Sequence, residues 1–149
     1  MAANTIKFEK GNTLAVAHRG VSGLETENTC AAFIAAGNRT YWGVETDVYR
    51  TADGKFILNH DGNLKRIAGE DLAVEQVSFD VLRAAVLYDR DGIKRGDLHL
   101  ASVDEYVRIC IEKWKTFCGK KPLKTYRPRP RLKKCGNASK TVCGAPTAT

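Results

Sequence analysis

The stretch Tyr41-Trp-Gly-Val-Glu-Thr-Asp-Val-Tyr49 is rich in β-branched and aromatic residues, so it predicts a strand, and the other predicted elements are arranged around it. Upstream of it, residues 13–18 form a short apolar run that ends in polar residues, which is typical of a buried strand entering a loop. The helix-prone residues 30–36 lie between these strands and follow Asn28 and Thr29, either of which is a good N-cap. This order predicts a βαβ unit, and hence an α/β protein with a parallel sheet.

Beyond this unit the sequence predicts a hairpin and two further helices. The turn signal Ala52-Asp-Gly54 is followed by residues 55–60, which fold back as a hairpin arm. Ser78 is a candidate cap for a short helix. The capping box Ser102-Val-Asp-Glu105 opens a longer helix, whose apolar residues keep helical spacing as far as Phe117.

The net charge of +7 is unevenly distributed along the 149 residues. Residues 1–112 hold 13 Lys and Arg against all 17 Asp and Glu, whereas residues 113–149 hold 11 Lys and Arg and no acid. Residues 120–149 show no apolar period, and their Arg-Pro-Arg-Pro-Arg core excludes a helix or a central strand. The composition therefore predicts one folded domain at residues 1–119 and a disordered basic tail at residues 120–149.

The composition also disfavours several classes of protein. The longest apolar stretches are far shorter than the roughly 18–20 residues of a membrane span, and the N-terminus lacks the pattern of a secretory signal. Five cysteines in such a chain favour free thiols over a disulfide framework, and their spacings do not match zinc sites. We therefore expect a cytoplasmic protein with no transmembrane segment.

Two acidic residues on the central predicted strand are candidate metal ligands. Glu45 and Asp47 are two residues apart, so both side chains leave the same face of the strand. Neighbouring carboxylates repel each other unless a cation lies between them, and ligands that are all oxygen suit Mg²⁺ or Ca²⁺. The alternative is an ordinary strand with two solvated acids, which the spacing alone favours.

Two histidines and an arginine are candidates for acid–base and phosphate chemistry. His18 ends the first strand next to Arg19, and His60 ends the hairpin arm. Imidazoles can serve as general base and general acid at neutral pH, and a guanidinium can grip a phosphate. Each could instead be a polar residue that closes a strand, but all fall at predicted carboxyl ends of strands, where α/β folds keep their chemistry. His99 has no such neighbours, so we expect a structural or surface role for it.

A series of short motifs runs along residues 12–111. They are Ala17-His-Arg-Gly20, Glu27-Asn-Thr29, Ala32-Phe33 with Ala36, Glu45-x-Asp47, Thr51-x-Asp-Gly54, Asn59-His-Asp61, Leu64-x-Arg66 and Ala101-Ser-Val-Asp-Glu-Tyr106. In order and in spacing, this part of the chain resembles the glycerophosphodiester phosphodiesterase family.

The resemblance implies a fold, a reaction and a set of site residues. The fold is a TIM (β/α)8 barrel, and the reaction is hydrolysis of small glycerophosphodiesters to sn-glycerol 3-phosphate and an alcohol, with Ca²⁺ or Mg²⁺. His18 and His60 would be the catalytic acid–base pair, and Arg19 would bind the substrate phosphate. The metal ligands would be Glu45 and Asp47. Glu27 would orient its neighbours at the mouth of the barrel.

The sequence departs from the family pattern in its last third. The family continues into a third barrel strand with a Glu-x-Lys pair, whereas here the letters Glu112-Lys-Trp-Lys115 fall inside a predicted helix. We therefore expect only the N-terminal two to three βα units of a barrel, from a chain truncated or frameshifted after about residue 112. Such an incomplete barrel would be impaired or inactive, and it would self-associate through its open sheet edge.

A function of a different class follows from the basic tail. A non-catalytic fragment could bind nucleic acid or an acidic membrane through residues 120–149, whose Lys and Arg would release counterions on binding. The tail lacks a recognition motif, so a solvated tail with no dedicated nucleic acid partner is the favoured interpretation.

Overall fold

The computed structural model describes residue 9, residues 11–114 and the backbone of residues 139–144. The elements of this part of the chain, in order, are β1 (Val16–His18), α1 (Cys30–Gly37), β2 (Gly43–Arg50), β3 (Phe56–Leu58), α2 (Lys65–Ala68), a 3₁₀ turn (Val74–Gln76), α3 (Phe79–Ala84), α4 (Val103–Trp114) and β4 (Ser139–Gly144).

The predicted βαβ unit is confirmed. Strands β1 and β2 pair in parallel, with residues 16–18 opposite residues 43–45. Helix α1 connects them, and Thr29 is its N-cap, because the Thr29 hydroxyl oxygen accepts a 3.2 Å hydrogen bond from the Ala32 amide. β1 is shorter than predicted, since only residues 16–18 of the predicted strand pair with β2.

The hairpin and the capping box are also present. β3 pairs antiparallel with β2, with Leu58 opposite Val48. At the start of α4, the Glu105 amide donates to the Ser102 hydroxyl at 3.2 Å, and the Ser102 amide donates to the Glu105 carboxylate at 2.8 Å. α4 is described as far as Trp114, so its predicted continuation to Phe117 lies outside the described residues.

A fourth strand, β4, falls at residues 139–144, inside the tail that the sequence predicts to be disordered. β4 pairs antiparallel with residues 43–48 of β2. Residues 43–45 also pair with β1, and Val48 pairs with both β3 and β4, so β4 lies on the edge of β2 opposite to β1 and β3. β4 contains the run Thr141-Val-Cys143, whose β-branched residues favour a strand although the residues before it are strongly basic.

β4 therefore covers the edge of β2 that lies opposite to β1 and β3. Self-association through an open sheet edge, as predicted, would have to use a different strand. The remaining tail, including the basic cluster at residues 127–134 and its anion-binding role, lies outside the described residues, as do Cys118 and Cys135. Cys30 is a free thiol, as the sequence predicts, and burial raises its pKa.

One hydrophobic core joins the sheet to α1 and α4. Phe33 of α1 meets the Tyr106 ring of α4 edge-on, with 4.9 Å between ring centroids. The buried Tyr106 hydroxyl donates a 2.7 Å hydrogen bond to the carbonyl of Val44 on β2. This core fixes α1 and α4 against the sheet, and so fixes the ends of β1 and β2.

A second core lies under the segment that follows the hairpin. Its fully buried side chains include Leu64, Leu82, Leu87 and Leu100, which pack with Ile57 of β3. This packing holds residues 61–100 against β2 and β3. Among the described helices, none is long and apolar enough to cross a membrane.

Candidate active site

The site residues predicted on β1 and β2 lie beside each other. His18, the last residue of β1, pairs in register with Glu45 of β2, and Arg19 follows it directly. Glu45 and Asp47 lie on one face of β2 because strand side chains alternate. The parallel pairing of two strands thus gathers four of the predicted residues at one end of the sheet.

The backbone after β1 turns sharply toward β2. Arg19 has a left-handed backbone with φ 54°, and its amide donates a 3.2 Å hydrogen bond to Glu45 Oε2. Gly20 has φ 83°, and a Cβ at this position would lie 2.6 Å from the Ala32 Cβ, so only glycine fits. His18 is more than half exposed, and its Nε2 lies 3.9 Å from Glu45 Oε2.

The Arg19 guanidinium lies between two carboxylates. Its Nη1 donates to Glu27 Oε1 at 3.0 Å, and its Nε lies 3.5 Å from Asp47 Oδ2. The side chains of Arg19 and Glu27 are about 15% exposed, and that of Asp47 is 3% exposed. A buried charge needs such partners, because burial without them is costly.

Glu45 and Asp47 fit a divalent cation as part of a ligand set. Both residues are buried, and Asp47 Oδ2 accepts no hydrogen bond from the described residues. Hard oxygen ligands of this kind suit Mg²⁺ or Ca²⁺. Among residues 11–114, however, no group of three or more His, Cys, Asp and Glu side chains is placed to hold a metal ion.

His60 lies beside the middle of β2 and is held by an acid. The Asn59 amide donates to the Asp47 carbonyl at 3.2 Å, and the Tyr49 hydroxyl donates to the His60 carbonyl at 3.2 Å. The His60 Nδ1 is 2.7 Å from Asp61 Oδ1. An ionised carboxylate only accepts hydrogen bonds, so Nδ1 carries the proton and Nε2 is the nitrogen available for proton transfer.

Arg66 connects His60 to Arg19 through two acids. Its Nη1 and Nη2 donate to the two Glu27 oxygens at 3.0 and 2.7 Å, and its Nε donates to Asp61 Oδ2 at 2.6 Å. We call the set of alternating charges the ion-pair network; it consists of Asp47, Arg19, Glu27, Arg66 and Asp61. His60 joins the network through Asp61, so the structure links the two halves of the predicted site.

Two acids of this network, Glu27 and Asp61, are held in their ionised forms. Burial alone would raise the pKa of Glu27, but the hydrogen bonds and charges of Arg66 and Arg19 lower it below its ordinary value. For Asp61, too, burial acts to raise the pKa, and the hydrogen bonds from Arg66 and His60 outweigh it and lower the pKa.

Sequence reasoning gave no role to Arg66 or to Asp61. The only signal was their presence in the motifs Leu64-x-Arg66 and Asn59-His-Asp61, since the contact between Arg66 and Glu27 spans 39 residues. His99, expected to be structural, has its ring nitrogens 3.0 and 3.1 Å from the carbonyls of Ala85 and Gly96. Glu112 lies in α4, as predicted, and so outside the sheet.

Comparisons with known proteins support the resemblance. Residues 18–128 match the "Glycerophosphoryl diester phosphodiesterase family", a range that runs past the limit near residue 112 expected from the sequence. A "Probable glycerophosphodiester phosphodiesterase 1" of Mycobacterium tuberculosis is 32% identical in an alignment of 107 residues that covers 68% of this chain and 39% of that protein. A "Glycerophosphodiester phosphodiesterase" of Caldanaerobacter subterraneus is 35% identical over 71 residues, which are 48% of this chain and 29% of that protein.

Solved structures show the same fold. A glycerophosphodiester phosphodiesterase from Thermotoga maritima is 29% identical, with a TM-score of 0.56 over 67% of this chain and 40% of that one. A phosphodiesterase from Oleispira antarctica, solved with the product sn-glycerol-3-phosphate, is 26% identical, with a TM-score of 0.58 over 68% of this chain and 41% of that one. These neighbours are TIM-barrel proteins, and the chain spans about two fifths of their length. With a family match over most of its residues, the chain belongs to the glycerophosphoryl diester phosphodiesterase family.

Proposed function

We propose that this chain carries part of a hydrolase site for small glycerophosphodiesters, which yields sn-glycerol 3-phosphate and an alcohol. The observation that carries the proposal is the meeting of Arg19, Glu45 and Asp47 at the ends of β1 and β2. The phosphate-binding and metal-binding roles that the resemblance implies need these side chains together. Family membership supports the reaction class.

Each side chain has a role in this proposal. Arg19 binds the phosphodiester with its guanidinium, which requires the incoming anion to compete with Glu27 and Asp47. His60, oriented by Asp61, transfers a proton at Nε2, and the exposed His18 supplies the second imidazole. Glu45 and Asp47 would hold Ca²⁺ or Mg²⁺, whose charge would neutralise the phosphate oxygens.

We also propose that this chain alone hydrolyses its substrate slowly. In this proposal Glu45 and Asp47 are the acidic ligands of the cation, and within the described residues no larger group of ligand side chains gathers. Fewer charged ligands mean weaker binding of a hard cation. The predicted cytoplasmic location and the choice between Ca²⁺ and Mg²⁺ remain predictions from the sequence.

Calorimetric titration with Ca²⁺ and Mg²⁺, followed by an assay of sn-glycerol 3-phosphate release from glycerophosphocholine, tests the site. We expect Asp47→Asn to weaken cation binding at least about tenfold, because it removes one of two charges facing the ion. The control is Asp97→Asn, which alters an exposed carboxylate paired with Arg95 and should leave binding unchanged. Equal cation affinity in wild type and Asp47→Asn would refute the metal-binding role. A chain extended to the length of its relatives should release product faster than this one.

A further inference from the structure

Arg66 contacts two acids, and each of these acids holds a residue with a proposed role in the reaction. Glu27 is the partner of Arg19, and Asp61 is the partner of His60. Arg66 donates two hydrogen bonds to Glu27 and one to Asp61, all between 2.6 and 3.0 Å. These are charge-assisted hydrogen bonds, the stronger class of such bonds.

On one side, Arg66 changes the charge that Arg19 experiences. Glu27 Oε1 accepts from both guanidinium groups, so one negative charge is divided between two arginines. Without Arg66, the full charge of Glu27 would fall on Arg19 and neutralise it. Arg66 therefore leaves Arg19 with positive charge for an anionic ligand.

On the other side, Arg66 changes the charge that His60 experiences. The two oxygens of Asp61 are divided between His60 Nδ1 and Arg66 Nε. Within the described residues, the groups that face His60 are Asp61, Arg66 behind it, and the Tyr49 phenol, which is neutral at pH 7 and whose pKa burial raises further. The positive charge of Arg66 offsets the negative charge of Asp61 at the imidazole.

We propose that Arg66 is a positioning residue, which holds Glu27 and Asp61 in place and thereby couples the phosphate-binding Arg19 to the proton-transferring His60. The coupling rests on the proposed function only for the roles of Arg19 and His60. Its test uses ionisation and phosphate binding, neither of which requires turnover, so the coupling and the proposed reaction can fail separately.

The first test follows the histidine ring signals by NMR as a function of pH in the full chain. In Arg66→Gln, we expect the titration midpoint of His60 to rise, because the cation that offsets Asp61 is gone. In Arg66→Lys, which keeps the charge, the midpoint should stay near that of the wild type. His99 serves as an internal reference, since its ring faces backbone carbonyls.

A matched control separates this effect from a general loss of stability. Arg83 makes a bidentate ion pair with Glu105, with both distances 3.0 Å, and its contacts lie within the scaffold. Arg83→Gln should destabilise the fold and leave the His60 midpoint unchanged. A His60 midpoint that is unchanged or lower in Arg66→Gln, or a rise of equal size in Arg83→Gln, would overturn the proposal.

The second test measures the affinity for inorganic phosphate by calorimetry. We expect Arg66→Gln to weaken binding about three- to tenfold, Arg66→Lys to restore most of it, and Arg83→Gln to change nothing. Equal phosphate affinity in wild type and Arg66→Gln would overturn the Arg19 half of the proposal. If the wild type binds no phosphate, the proposed function loses its anion site, and the His60 titration still decides the coupling. If Arg66→Gln does not fold, Glu27→Gln and Asp61→Asn replace it, and they should affect phosphate binding and His60 respectively.

Discussion

Two arginine–glutamate pairs in this chain have almost the same geometry but hold different parts of the molecule. Arg66 binds Glu27 at 3.0 and 2.7 Å, and Arg83 binds Glu105 at 3.0 and 3.0 Å. We call them the site pair and the scaffold pair. In the scaffold pair the remaining contacts are structural, since Arg83 also donates to the Leu100 carbonyl and Glu105 caps α4. In the site pair, the remaining contacts reach other charged side chains.

The role of each ion pair therefore follows from the further contacts of its two residues rather than from the distances within the pair. Glu105 binds a backbone amide that would otherwise lack a partner at a helix start, which contributes to folding. Glu27 instead binds the guanidinium of Arg19, the residue that we propose binds the substrate phosphate. Substitution should therefore separate the two pairs into one that affects stability and one that affects the site.

The largest loss in the free energy of unfolding is expected from Gly20→Ala. This change displaces Arg19, which is the further contact of Glu27 in the site pair. A Cβ at Gly20 would lie 2.7 Å from the Ala32 carbonyl carbon, and the backbone there has φ 83°. We expect the free energy of unfolding to fall by about 3 kcal/mol or more, from strain and overpacking together. Urea denaturation, monitored by fluorescence of the buried Trp114, measures it.

Gly92→Ala is the matched control for this prediction. Gly92 has φ 79°, close to that of Gly20, but a Cβ there would meet no atom within 4 Å. Its cost should be about 1 kcal/mol, from backbone conformation alone. Equal losses in the two variants would show that the contact with Ala32 does not hold the Arg19 turn.

The next largest effect is expected from breaking the scaffold pair. Arg83→Gln leaves both the Leu100 carbonyl and the Glu105 carboxylate without their cation, and charged hydrogen bonds in partly buried places stabilise by about 2 kcal/mol. We expect urea denaturation to show a loss of about that size. A loss within 0.5 kcal/mol, a size ordinary for surface substitutions, would mean that the pair is a surface contact like most others (roughly 0–1 kcal/mol).

The elements that the sequence predicted well are those whose signals are local. The apolar run before His18, the Thr29 cap and the Ser102–Glu105 capping box each specify structure within a few residues, and each is present. The same locality explains why Glu45 and Asp47 share a face, since strand alternation alone requires it.

The features that the sequence did not predict depend on contacts between distant segments. The contact between Arg66 and Glu27 forms only because the second core holds α2 beside the loop before α1. β4 pairs with β2, although the two strands are far apart in the sequence. The β-prone run in β4 is too short to show an alternating pattern, and the residues before it are strongly basic. Neither the contact between Arg66 and Glu27 nor the pairing of β4 with β2 can be read from the residue types alone.

A smaller effect is expected from the pH dependence of the scaffold pair. Burial acts to raise the pKa of Glu105, but the hydrogen bonds from Ser102 and the charge of Arg83 lower it below its ordinary value of 4.5. An acid whose pKa is lower in the folded state stabilises the fold at pH values above its pKa in the unfolded chain. This contribution disappears as the pH falls through its pKa in the folded state. We expect wild type to exceed Glu105→Gln by roughly 0.5–1 kcal/mol at pH 6, after solvent screening, and by much less at pH 3. A difference that stays constant with pH would contradict a role for the Glu105 charge.

The smallest effect on stability is expected from breaking the site pair, and it completes the comparison. Arg66 is half exposed, so water replaces much of what its hydrogen bonds contribute, and exposed ion pairs contribute little. We expect Arg66→Gln to lower the free energy of unfolding by less than roughly 0.5 kcal/mol, well below the loss in Arg83→Gln. Urea denaturation of both variants in one buffer measures the two losses in the free energy of unfolding and so their ratio. If the two losses are equal, the site pair is a second structural clamp, because a residue that mainly adjusts the charge of Arg19 and His60 has no reason to stabilise the fold as strongly as one that holds a helix start.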